Sequence, residues 1–200
     1  REAHVLVPAR LPRACGEDDR ETERDEGNAR RSGRRQDRSP VEERLAHDAL
    51  HDALTGLPNR TLFLDRLQTA LDLGRRGDRG GLALLFIDLD HFKLVNDSQG
   101  HLAGDRLLVE MGRRLRAAVR TGDTVARIGG DEFTVLCSGS ADPSVVAAII
   151  ERIQQAARVP AVVEGRSVTA SASIGVALSR TGYVRAEDML RDADTAMYRA

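Results

Sequence analysis

Residues 126–137 read "ARIGGDEFTVLC". Two apolar runs flank a Gly-Gly pair and two consecutive acids, Asp131 and Glu132. Short β-prone runs around a glycine pair predict a hairpin, with strands at 124–128 and 132–137 turning at Gly129-Gly130. Upstream, "LALLFIDL" at 82–89 is apolar without a break. A run of that length predicts a central strand buried on both faces. It ends in acids, Asp88 and Asp90. If the hairpin lies beside this strand in one sheet, Asp88 and Asp131 converge at the sheet's end.

The rest of the chain supplies helices to cover such a sheet. "SPVE" at 39–42 has the form of a capping box, with Ser39 as cap, Pro40 in the first helical position and Glu42 reaching back. The helix that follows, "PVEERLAHDALHDAL", places Val41, Leu45, Ala49 or Leu50, and Ala53 in a stripe suited to a parallel two-helix contact. "TGLPNR" breaks it at Gly56 and Pro58. Helical periodicity returns in "RTLFLDRLQTALDLG", "DRLLVEMGRRLRAAVR", "PSVVAAIIERIQQAAR" and "RAEDMLRDADTAMYRA". "RSVTASASIGVAL", 166–178, reads as one more strand. Helices and a hairpin sharing one sheet indicate an α+β fold near the split β-α-β class.

Composition bounds the function. The chain has 200 residues, enough for one ordinary domain and a tail. Its net charge of −1 argues against nucleic acid as a partner. Cys15 and Cys137 form neither a disulfide framework nor a zinc spacing, and suit a reducing cytoplasm. No apolar run approaches the roughly 20 residues that span a bilayer, and the N-terminus lacks the apolar core of a signal peptide. Residues 16–39 hold almost no large apolar side chains, so residues 1–38 are expected to be a disordered or linker segment. Residues 39–54 are then a signalling or dimerisation helix, and 55–200 the main domain.

The acids carry the chemistry. Two carboxylates about 4 Å apart repel by roughly 4 kcal/mol at an effective dielectric near 20. A fold tolerates this if a cation sits between them or one acid is protonated. Oxygen donors with only five histidines in the chain favour Mg²⁺ or Mn²⁺ over zinc. Mg²⁺ held by one or two carboxylates completes its shell with water and phosphates, which points to a nucleoside triphosphate. Gly129 and Gly130 permit positive φ and close approach of a ligand to the backbone. The alternative on these residues alone is a plain Gly-Gly turn with exposed acids.

"HFKLVND", 91–97, reads as a helical turn whose N–H groups suit phosphates, with Phe92 and Lys93, the chain's only lysine, at its start. Asn96 and Asp105 offer the donors and acceptors that complement a guanine edge. His101 reads as a hydrogen-bonding residue at a helix start.

"DALTGLPNR" (52–60), "FIDLDHFKLVNDSQGHLAGD" (86–105), "ARIGGDEF" (126–133) and "SIGVA" (173–177) together resemble the GGDEF family of diguanylate cyclases. The resemblance covers residues 50–200. It implies a central, mostly antiparallel five-stranded sheet wrapped by helices, similar to the catalytic core of class III nucleotide cyclases. It implies condensation of two GTP molecules into cyclic di-GMP with release of pyrophosphate. Position by position, it makes Asp88 and Asp131 side-chain ligands of Mg²⁺ (or Mn²⁺) and Leu89 a carbonyl ligand. It gives Glu132 a part in positioning metal and removing the 3′-OH proton, and brings Gly129 and Gly130 close to the nucleotide. Asn96 and Asp105 read guanine, and Phe92 and Lys93 belong to the phosphate-cradling turn.

"RTGD" adds Arg120 and Asp123 just before the hairpin. At this spacing the resemblance implies an inhibitory site for cyclic di-GMP, against the plainer reading of a helix-end salt bridge. The resemblance also implies a lysine and an arginine for the GTP phosphates after "MY" of the last helix. The sequence ends at Ala200 before them, so the domain is expected to be C-terminally truncated and weak on its own. A two-fold symmetric product implies a homodimer of half-sites, with the helix after Ser39 controlling the pairing. The expected location is cytoplasmic. Two other roles for such a domain are a non-catalytic receptor of cyclic di-GMP and a GTP-sensing regulator of an attached phosphodiesterase.

Overall fold

The computed structural model describes residues 4–5, 39–75, 81–139, 141–163 and 165–199. The elements in chain order are β1 (His4–Val5), α1 (Pro40–Asp48), α2 (Arg60–Arg75), β2 (Leu82–Asp90), α3 (Phe92–Gln99), α4 (His101–Ala118), β3 (Thr124–Gly129), β4 (Glu132–Ser138), α5 (Pro143–Arg158), β5 (Ala161–Val163), β6 (Arg166–Val168), β7 (Ser171–Leu178) and α6 (Ala186–Tyr198). The linker expected over 1–38 lies outside the described residues, apart from the two residues of β1.

One sheet of five strands runs β1-β7-β2-β4-β3. Every pairing is antiparallel except the two-residue β1, which runs parallel to β7. The fold is α+β with helices on both faces of this sheet. β2 is central, and Leu82 to Ile87 are all buried, which explains its unbroken apolar run. On one face Leu85, Ile87, Phe133 and Val135 pack with Leu107, Met111 and Leu115 of α4 and Ile149 and Ile153 of α5. On the other, Leu84, Phe86 and Leu136 pack with Phe63 and Leu67 of α2 and Met189 and Ala193 of α6. The amphipathic stripes read from the sequence are the buried faces of these helices.

Three boundaries differ from the sequence reading. The helix expected over 39–54 ends at Asp48. The chain then turns, and an isolated bridge joins His51 to Pro58, because Asp52 is drawn into side-chain bonds that a helix would not allow. The expected strand 166–178 is two strands: β6 forms a separate ribbon with β5, and only β7 joins the main sheet. The turn of the hairpin is Gly130-Asp131, not Gly129-Gly130. Gly129 already pairs with Glu132, after a register shift between Arg127 and Gly129. Of the two glycines, only Gly130 has positive φ, at 50°.

Gly175 of β7 explains how α6 is seated. A Cβ there would fall 2.1 Å from the Ala193 carbonyl oxygen and 2.2 Å from the Met197 nitrogen. Helix α6 lies directly on the strand because no side chain intervenes.

Candidate active site

β2 and β4 deliver their acids to the same end of the sheet. Asp88 is the direct partner of Glu132 in the antiparallel ladder. Asp131, at the turn, is held against β2 by a hydrogen bond from the Leu89 N–H to its carbonyl, at 3.4 Å. The acids named from the sequence are therefore brought together, with Leu89 among them.

The electrostatics follow from that crowding. Burial pushes the Asp88 carboxyl up to about 6, and the charges of Asp131, Glu132, Asp90 and Asp194 add to the effect. Glu132 is also raised, first by burial, then by Asp194 and Asp131, while Arg60 works in the opposite direction. Asp194 and Arg60 belong to the site and were missed in the sequence. They enter from α6 and from the first turn of α2, and no spacing rule links them to the hairpin. Asp90 is turned aside: its two oxygens accept from the hydroxyls of Ser171 at 2.6 Å and Ser173 at 2.7 Å.

All the donors at this end are oxygens. Among the described residues, no three His, Cys, Asp or Glu side chains form a ready cage for an ion. A pair of carboxylates that strains against its own charge, beside a backbone carbonyl, is nevertheless the partial shell that Mg²⁺ accepts when phosphates and water complete it. The residues fit a hard divalent cation.

His91 caps the start of α3, and its left-handed backbone (φ 61°, ψ 21°) turns the chain sharply off the end of β2. Lys93 is exposed, while the half-buried Phe92 packs against the core, so any part it has in a phosphate turn is through its backbone. Gly104 of α4, the residue before Asp105, leaves room for the Asn96 side chain. A Cβ on Gly104 would lie 2.0 Å from Asn96 Oδ1 and 3.0 Å from Phe92 Cζ. The missing side chain lets Asn96 rest on α4 one residue from Asp105. Gly130 meets the backbone demand at the tip; a Cβ on Gly129 would meet nothing within 4 Å, so its packing does not require glycine.

Arg120 and Asp123 close the turn after α4. Asp123 is buried, and its Oδ2 accepts from the Arg120 backbone N–H at 3.1 Å. Its own N–H donates to the Arg120 carbonyl at 3.0 Å, and Arg116 donates to the Asp123 carbonyl at 3.0 Å. The Arg120 side chain is exposed. Beneath them, burial first and Asp123 second push the Cys137 thiol up to about 12, against Arg120 and Arg152. Arg152 of α5 thus bears on the same thiol, a third residue the sequence did not indicate. It also borders a cleft of about 540 Å³ between α4 and α5, shared with Arg113 and Arg114.

The family model for "Diguanylate cyclase, GGDEF domain" matches residues 49–200. The bifunctional diguanylate cyclase/cyclic di-GMP phosphodiesterase MucR of Pseudomonas aeruginosa is 45% identical over 152 residues, covering 76% of this chain and 22% of MucR. The diguanylate cyclase TpbB of the same organism is 44% identical over 155 residues, covering 77% of this chain and 35% of TpbB. The chain thus spans a minor part of these relatives. A crystal structure of a sensory box/GGDEF family protein from Caulobacter crescentus superposes with a TM-score of 0.71 at 43% identity, covering 76% of this chain and 97% of that one. Its core topology, its acidic sheet end and these matches together establish that the chain belongs to the GGDEF-domain family of diguanylate cyclases.

Proposed function

We propose that this domain condenses two GTP molecules into cyclic di-GMP and releases pyrophosphate, working as a homodimer of half-sites in the cytoplasm. The observation that carries the reading is the convergence of Asp88, Asp131 and Glu132 on one end of the sheet, where burial and then the neighbouring acids raise the Asp88 carboxyl to about 6. Asp88 and Asp131 would hold Mg²⁺ or Mn²⁺ through their side chains, and Leu89 through its carbonyl. When bound, the ion neutralises charge on the attacking and leaving oxygens of an in-line phosphoryl displacement.

The chain's own residues do the rest. Asn96 and Asp105 hold the guanine edge through paired donors and acceptors. The backbone at the start of α3, with Lys93, holds phosphates. Glu132, its carboxyl raised by burial and by Asp194 and Asp131, would help position the metal and assist removal of the 3′-OH proton. Gly129 leaves open space at the tip, where the nucleotide approaches. Each GTP donates a 3′-OH to the other, so one domain supplies half a site and a second copy completes it. Arg120 and Asp123 form a separate site for the product; arginine's planar fork suits guanine or phosphate.

The test is turnover of GTP with Mg²⁺ by the full-length protein, read beside binding of GTP and cyclic di-GMP. Turnover lost in Asp131→Asn supports the cyclase. Tight binding of cyclic di-GMP without turnover would replace it with a receptor, and GTP binding alone with a regulatory domain.

A further inference from the structure

Arg127 of β3 joins two parts of the chain that are 75 residues apart. Its Nε and Nη2 both donate to the Gly130 carbonyl, at 3.0 and 2.7 Å. Its Nη1 donates to both Asp52 carboxylate oxygens, at 3.0 and 3.1 Å. The pair is largely buried: the Arg127 side chain is 12% exposed and that of Asp52 23%. Asp52 Oδ1 is fixed from the other side by the Thr55 N–H at 2.8 Å and hydroxyl at 2.6 Å. Burial opposes the charge on Asp52, yet these partners hold its carboxyl below the ordinary range.

The loop that carries Asp52 is the one in which α1 ends. Asn59 donates through its side chain to the Ala49 carbonyl and through its backbone to the Leu50 carbonyl, both at 2.9 Å. The Arg127 N–H donates to the Pro58 carbonyl at 3.0 Å. The end of α1, the 49–59 loop and the hairpin tip are therefore one hydrogen-bonded unit.

The consequence lies in the Gly130–Asp131 peptide. The Gly130 carbonyl and the Asp131 N–H share one rigid plane. Two N–H groups of a planar guanidinium fix the carbonyl, and with it the direction in which the Asp131 backbone leaves the turn. On the far side, Leu89 holds the Asp131 carbonyl. Asp131 is clamped on both flanks, and one clamp runs through Arg127 to Asp52.

We infer that Arg127 is a positioning residue that locks the Gly130–Asp131 peptide to Asp52, so that the cation affinity of the acidic tip depends on the loop that ends α1. The inference rests on the reading of that tip as a divalent-cation site. It gives a physical route by which a change in the approach of α1 alters the site, through a charge-assisted pair that is either made or broken.

The experiment is Mn²⁺ binding by calorimetry in the presence of a non-hydrolysable GTP analogue, with amide exchange at 129–132, on the full-length parent and on Asp88→Asn, Arg127→Gln, Asp52→Asn and the Asp52→Asn/Arg127→Gln double variant. Arg127→Gln and Asp52→Asn are each expected to weaken Mn²⁺ binding roughly tenfold, a common size for coupling between sites. They are expected to speed exchange at the tip, and the double variant to be no worse than the worse single. Asp52→Glu, which keeps the charge, is expected to recover part of the loss. If Arg127→Gln fails to fold, Asp52→Asn decides, because it leaves both bonds to Gly130 in place. A folded variant with unchanged Mn²⁺ affinity overturns the inference alone. A parent with no Asp88-dependent Mn²⁺ binding overturns the cation reading, and the inference with it.

Discussion

Asp88 and Glu132 face each other as direct partners across the β2–β4 ladder. Like charges in that relation are destabilising, and burial with the surrounding acids raises the Asp88 carboxyl from 3.8 to about 6. The folded state therefore holds this proton more tightly than the unfolded chain. The stability that the proton lends is full below the unfolded value and is lost as the pH rises through about 6. In the presence of a chelator, the stability of Asp88→Asn relative to the parent is expected to grow across that window. Denaturant unfolding at a series of pH values measures it, and a difference that does not change with pH contradicts the assignment.

Gly175 and α6 give the sharpest packing prediction. In Gly175→Ala the new methyl group meets backbone atoms at 2.1 and 2.2 Å, so the helix itself must move. A loss of about 1–3 kcal/mol or more is expected from overpacking of this kind. Because α6 carries Asp194, the pKa of Glu132 is expected to fall as well, which carboxyl NMR titration reads directly.

Gly104→Ala is a contrast at a similar distance. Here the new methyl group meets the far end of the Asn96 side chain, at 2.0 Å, which is free to rotate away. Thermal unfolding is expected to change little. GTP affinity is expected to drop by about tenfold, as the loss of about one hydrogen bond implies, and ATP, which does not present the guanine edge, is expected to be discriminated less well.

Arg120 and Asp123 are separable by their surroundings. The exposed Arg120 side chain is expected to be removable, as Arg120→Ala, with unchanged stability and weakened cyclic di-GMP binding. Asp123 accepts from the Arg120 backbone while buried. Asp123→Ala is therefore expected to cost about 1–3 kcal/mol of stability in addition to product affinity. Equal stability effects in the two variants contradict the division of roles.

Leu45 of α1 is 65% exposed, so Leu45→Asp removes no core contact. It is expected to leave the unfolding midpoint of the domain unchanged while lowering dimerisation and GTP turnover together. Sedimentation alongside an activity assay measures both, and a fully active monomer excludes control of pairing through α1.

The helical stripes of α2, α4 and α5 were legible because burial on one face imposes a 3.6-residue period that any reader of the chain can see. β2 was legible for the converse reason: a strand buried on both faces has no polar positions. The acids of 88, 131 and 132 stood out because a carboxylate at the end of a buried run demands an explanation. The division of 166–178 into two strands and the shift of the hairpin turn by one residue were not legible. A break at Thr169-Ala170 and a register shift between Arg127 and Gly129 are choices among conformations that the local sequence leaves nearly equal in energy.

By itself the sequence determined which residues are apolar, which segments repeat with which period, and where charge is placed against that pattern. These are local properties, written one residue after another. Only the tertiary structure decided that Asp194 and Arg60 bear on Glu132, that Arg152 and Arg120 both bear on Cys137, and that Arg127 reaches Asp52. Those relations depend on how α2, α5, α6 and the 49–59 loop pack on the sheet, as α6 does at Gly175. Coulombic forces and hydrogen bonds act through space, between residues whose separation along the chain carries no sign of their meeting.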